Sequence, residues 1–95
     1  MPTTTITNAM SPYTLTFSDD VLLVDSTAGP VDLYLPPVHP VGMRYQIKDK
    51  FGTSIANPIT IIATPKLIDN QANFILTVEK QAILAHGDGT NWFIL

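Results

Sequence analysis

The chain has 95 residues, of which 45% are hydrophobic and only 14% charged; it contains no Cys and carries a net charge of −3. One core serves a chain of this length, no disulfide or thiolate site can reinforce it, and five scattered bases argue against nucleic acid as a partner. A charged fraction well below the usual ~25% leaves apolar surface to be hidden, which predicts an oligomer.

Residues 1–12 begin Met1-Pro2-Thr3-Thr4-Thr5 and enclose a lone Ile6 among threonines. They have neither a basic flank nor an apolar stretch, so no leader peptide is expected. Alone, the segment reads as a flexible N-terminal arm. In an assembly protein it can add a strand to a neighbour or dock on a shell, with Ile6 as a candidate interface residue; otherwise it frays or packs on its own subunit.

From Tyr13 onward, short strands alternate with turns. Tyr13-Thr14-Leu15-Thr16-Phe17 alternates apolar and polar, which puts Tyr13, Leu15 and Phe17 on one face. Ser18-Asp19-Asp20 turns the chain, and Val21-Leu22-Leu23-Val24 follows as an apolar run, the signature of a strand covered on both faces. After the Gly29-Pro30 loop, Val31, Leu33 and Leu35 point inward, leaving Asp32 and Tyr34 outward. Pro36-Pro37 ends that strand. Met43, Tyr45 and Ile47 then interleave with Arg44, Gln46 and Lys48.

The region 50–58 reads as a long loop, and the β-branched Ile59-Thr60-Ile61-Ile62 as a strand. Turns at Thr64-Pro65-Lys66 and Asp69-Asn70-Gln71 flank a short strand at Leu67-Ile68. Residues 74–78, 81–85 and 92–95 complete the set, with Gly87-Asp88-Gly89-Thr90-Asn91 turning into the last strand. No window combines helical periodicity with caps. The expected fold is all-β: residues 13–95 form a single domain, a small antiparallel β-sandwich or jelly roll. No apolar run nears the ~20 residues of a membrane helix, so no membrane partner is expected.

Several of these segments together resemble a pattern of tailed-phage virion proteins. Tyr45-Gln46-Ile47-Lys48-Asp49, then Gly52, then Asn57 and Ile59-Thr60-Ile61 match its "Y-x-I-K-D" strand, Gly loop and "N-x-I-T-I" strand. Ile68-Asp69 stands where that family has "I-D-G", with Asn70 replacing the Gly; Asn tolerates left-handed backbone angles. Asp88-Gly89-Thr90-Asn91-Trp92 looks like its closing "D-G-T-N-W" hairpin. Val24-Asp25, Gly29-Pro30 and Leu33-Tyr34-Leu35-Pro36 fit an upstream "V-D…G-P-V-x-L-x-L-P" hairpin.

The resemblance spans residues 13–95. It implies a homotrimeric module of a tail fibre, head fibre or capsid decoration (cement) protein, made in the host bacterial cytoplasm and carried in the virion. A 95-residue product with neither shaft nor tip domain suits decoration of the head, with the major capsid protein or another virion protein as partner. The alternative is a fibre or receptor-binding module that recognises a host-surface glycan.

Residue types that often carry chemistry have plainer readings here. His39 and His86 lack local metal-ligand spacing and read as surface or hydrogen-bonded histidines. Asp19 and Asp20 suit a turn, and Asp32 an outward strand face, better than a glycosidase carboxylate pair. Asp88 to Asn91 lacks the spacing of a calcium loop, and Lys48-Asp49 reads as a structural pair or a strand-end turn, not a lysine nucleophile. No enzyme activity, cofactor or metal is expected. Most aromatics, Trp92 among them, suit a core or subunit interface. Tyr34 and Phe51 are the candidate interface anchors, with Arg44 and Lys50 as rim partners to an acidic shell.

Overall fold

Alternation of inward and outward side chains generates two facing sheets. The computed structural model describes residues 3–95, so Met1 and Pro2 of the expected arm lie outside the description. The described residues form nine strands: β1 (Thr3–Thr7), β2 (Tyr13–Thr14), β3 (Val21–Asp25), β4 (Val31–Tyr34), β5 (Arg44–Asp49), β6 (Ile59–Ile62), β7 (Asn73–Ile75), β8 (Ala82–Gly87) and β9 (Trp92–Ile94). One 3₁₀ turn, Asn8–Met10, is the only helical element among the described residues. The five-stranded sheet has the order β1-β3-β5-β8-β9, and the four-stranded sheet β2-β4-β6-β7.

The all-β, two-sheet expectation holds; the antiparallel expectation does not. β1, β3 and β5 pair in parallel, as do β2, β4 and β6. Only the pairings made by β7, β8 and β9 are antiparallel. Successive strands from β1 to β6 alternate between the sheets, so the chain winds up one sheet and down the other. The return strand in the opposite sheet supplies the crossover that parallel neighbours require. A strand buried on one face alternates identically in either direction, so the pattern carries no sign of polarity.

Register aligns the core in rows. Leu22, Ile47 and Ile83 stand side by side across β3, β5 and β8, and Tyr13, Leu33, Ile61 and Phe74 across the other sheet. Ile6 joins Val24 and Asp49 in a further inward row. Burying each large aliphatic side chain contributes roughly 1.5–3 kcal/mol before entropy is counted.

The N-terminal segment therefore belongs to its own subunit. Ile6 is 0% exposed and lies in the core, so it is not the free anchor of an arm. The strand expected over residues 13–17 is also shorter. Leu15 is buried, but the Thr16 amide bonds the Asp19 carboxylate, and the turn this starts leaves Phe17 60% exposed.

The strands leave connecting loops at two ends. Residues 15–20, 35–43, 63–72 and 88–91 lie at one, called the Phe17 end. Residues 8–12, 26–30, 50–58 and 76–81 lie at the other, the Phe51 end.

Candidate assembly surfaces

The polar residues that stand out in the sequence are occupied in holding loops. Asp49 is fully buried at the end of β5. Its carboxylate accepts amide hydrogens from Gly52, Thr53, Ser54 and Lys80 at 3.0–3.2 Å. Burial alone would raise its pKa; the Lys80, Ser54 and Thr53 donors outweigh burial and hold it below the ordinary 3.8. Lys48 does not pair with it: the Lys48 ammonium donates to the Lys80 carbonyl at 2.7 Å.

Asp19 is buried and accepts from Thr4 Oγ1, Tyr13 Oη and the Thr16 amide. It ties β1, β2 and the following turn together. Asp69 stands at φ +48 and Asn70 at +65, the left-handed turn for which Asn is suited. The Asp69 carboxylate accepts the Ile94 amide at 3.2 Å, and the Asp69 amide donates to the Trp92 carbonyl. With the Trp92 amide on the Leu67 carbonyl, these bonds cover the free side of β9.

The closing hairpin has the same character. Asp88 Oδ1 accepts the Thr90 and Asn91 amides at 2.9 and 2.7 Å, which lower its pKa. Asn91 Oδ1 accepts the Leu67 amide. His39 is hydrogen-bonded, with Nε2 accepting the Gly89 amide, but it is buried, 4.1 Å from the ring of Trp92. Trp92 is a fully buried core residue. Gly87 makes room for this pair: a Cβ there would sit 2.4 Å from His39 Cδ2. His86 lies opposite Arg44 on the outer face of the sheet, away from His39. Among the described residues, no three His, Asp or Glu side chains gather as metal ligands.

Several large apolar side chains remain on the surface. On the outer face of the five-stranded sheet, Val21 and Leu23 form one wall of a groove and Ala82 and Leu84 the other, with Gln46 and Lys48 between. The groove encloses about 320 Å³. The sequence predicts a β3 covered on both faces, and only its inner face has a covering layer among the described residues. Leu22 and Val24 are buried; Val21 and Leu23 are half-exposed.

The anchors expected from the sequence do not form one patch. Phe51 is 54% exposed, and the Lys50 ammonium lies 5.2 Å from its ring centroid, a cation–π contact. Tyr34 is exposed on the other sheet, and Arg44 is exposed at the opposite end of β5. Sequence reasoning missed Val38, Val41, Ile55 and Val78, all exposed loop residues. For Val38, Val41 and Ile55 the signal is an apolar side chain within a Pro- or Gly-bounded loop; Val78 stands at the end of an expected strand over residues 74–78, and its sequence carries no such signal.

No protein-family model matches the chain, and no curated protein matches it.

Proposed function

We propose that the chain is a structural protein of a tailed-phage virion, a homotrimeric capsid decoration protein that stabilises the head by assembly. The observation that carries this reading is β3, apolar on both faces and layered on one. A second copy laid on Val21, Leu23 and Leu84 supplies the missing layer, and the groove beside them accepts its side chains. The pattern of residues 13–95 supports the phage assignment. Its most distinctive members, Asp49, Asp69, Asp88 and Asn91, maintain turns, as the fingerprint of a scaffold would. A protein that binds only the assembled shell stabilises it by its binding free energy.

One observation favours the fibre or receptor-binding reading. Phe17 borders an open cleft of about 610 Å³ with Asp20 and Arg44, an aromatic surface beside polar groups that a host glycan can use.

Heads assembled with and without the protein test the proposal. Under the decoration reading, heads lacking it rupture at lower temperature or on dilution to low ionic strength, and added protein restores them. Equal survival counts against decoration, and glycan-dependent binding to host cells then selects the fibre reading.

A further inference from the structure

At the Phe17 end, one imidazole joins two loops. His39, in the 35–43 loop, is 5% exposed, and its Nε2 accepts the Gly89 amide at the tip of the closing hairpin, 3.3 Å away. Accepting a hydrogen bond requires the Nε2 lone pair, so the ring is neutral and its proton sits on Nδ1. Nδ1 is itself buried and has no partner among the described residues. The ring is thus held by a single polar bond and by packing, 4.1 Å from the Trp92 ring and against the bare backbone of Gly87.

Few other bonds tie this loop to the hairpin. Pro36, Pro37 and Pro40 have no amide hydrogen to give. Backbone bonds to Gly87 begin only at Gly42, whose amide meets the Gly87 carbonyl, and Met43, whose carbonyl accepts the Gly87 amide. Val41 stands over the hairpin tip: a Cβ on Gly89 would come within 2.9 Å of Val41 Cγ2. The charged group facing His39 from the hairpin is Asp88, close enough for the two charges to interact. From β9 and β5 it meets Trp92 and, behind that ring, Tyr45, whose hydroxyl donates to the Thr16 carbonyl. Its own loop has no charged side chain, and Arg44 and His86 stand on the outer face of the sheet. Both the Asp88 carboxylate and the Trp92 face attract an imidazolium, which favours uptake of a proton despite burial.

We propose that His39 is an acid-sensitive latch: the neutral imidazole fastens the hairpin tip to the 35–43 loop, and protonation unfastens it. An imidazolium carries N–H on both nitrogens, so Nε2 then confronts the Gly89 amide donor to donor and the bond is lost. The latch is closed above histidine's ordinary titration range, roughly pH 5 to 8, and open below it. Opening frees the Gly89 tip and the loop that carries the exposed Val38 and Val41. The device belongs to the fold and does not rest on the virion reading.

Nuclear magnetic resonance of the full chain tests this by following the His39 ring and the Gly89 amide from about pH 8 to about pH 5. His39 is expected to take up a proton in that interval. Hydrogen-exchange protection of the Gly89 amide, corrected for the intrinsic rate at each pH, is expected to fall with it by at least about tenfold. His39→Gln cannot titrate and is expected to abolish this pH dependence, whereas His86→Gln is expected to respond as wild type. The latch is overturned by a His39 ring still neutral at about pH 5, by Gly89 protection that persists once the ring is protonated, or by a pH dependence that survives in His39→Gln. The wild-type titration decides by itself if the variant does not fold.

Discussion

The carboxylate of Asp49 accepts the amide of Lys80 at 3.0 Å, joining two loops that are 31 residues apart in sequence. Because the same side chain also holds Gly52, Thr53 and Ser54, one residue sets the shape of the Phe51 end. Replacing it with Ala leaves several donors short of partners at once. Asp49→Ala is expected to lose about 3 kcal/mol of stability, measured by chemical denaturation. A loss below about 1 kcal/mol would mean water replaces the carboxylate readily.

Acid should act through the same residue. The pKa of Asp49 is lowered in the fold, so its contribution is present above the ordinary 3.8 and is lost as pH falls below that value. Melting temperature is expected to drop on acidification through this range, and Asp49→Asn to flatten the drop. An unchanged acid limb in the variant would assign the effect to other carboxylates.

Tyr45 gives the opposite limb. Burial, with smaller contributions from Asp19 and Tyr13, pushes its pKa up to about 12. A raised pKa means the fold favours the neutral phenol, so its stabilisation is intact below the ordinary 10.0 and is lost as pH rises through 12. Tyr45→Phe sacrifices the hydrogen bond to the Thr16 carbonyl, about 1 kcal/mol. Melts between pH 10 and 12 should nevertheless decline less steeply than those of the wild type; an identical slope would contradict this assignment.

Two glycines separate space from backbone strain. Gly87→Ala drives a methyl into His39 and toward Trp92 and is expected to cost about 2–3 kcal/mol. Gly42 stands at φ +87 with nothing within 4 Å of the point a Cβ would occupy, so Gly42→Ala should cost only the backbone term, about 1 kcal/mol. Paired denaturation curves check the order; equal losses would contradict the packing of His39 over Gly87.

The N-terminal strand yields another contrast. With Ile6 in the core, Ile6→Ala is expected to cost about 3 kcal/mol, and deletion of residues 1–7 to abolish the cooperative melt. A truncated protein that melts as the wild type does would restore the arm.

The strands were legible because Val31, Leu33, Tyr45 and Ile47 alternate with polar neighbours, and the turns because Asp69-Asn70 and Asp88-Gly89 suit left-handed backbone. Sheet direction was not, since side-chain period is the same for parallel and antiparallel pairing. Ile6 looked isolated because its neighbours in the core, Val24 and Asp49, are distant in sequence. The polarity of Asp49 likewise concealed its inward position, which becomes apparent only with the four amides around it. The apolar groove was half visible: Val21-Leu22-Leu23-Val24 announced two covered faces, and β8 supplied Leu84 from far along the chain.

The proposed assembly into a phage virion is tested most directly by quantitative mass spectrometry of purified particles of a phage that carries the gene for this chain. The decoration reading predicts a copy number that is a multiple of three and comparable to the shell's local three-fold positions. Particles with only a few copies, or none, would contradict it.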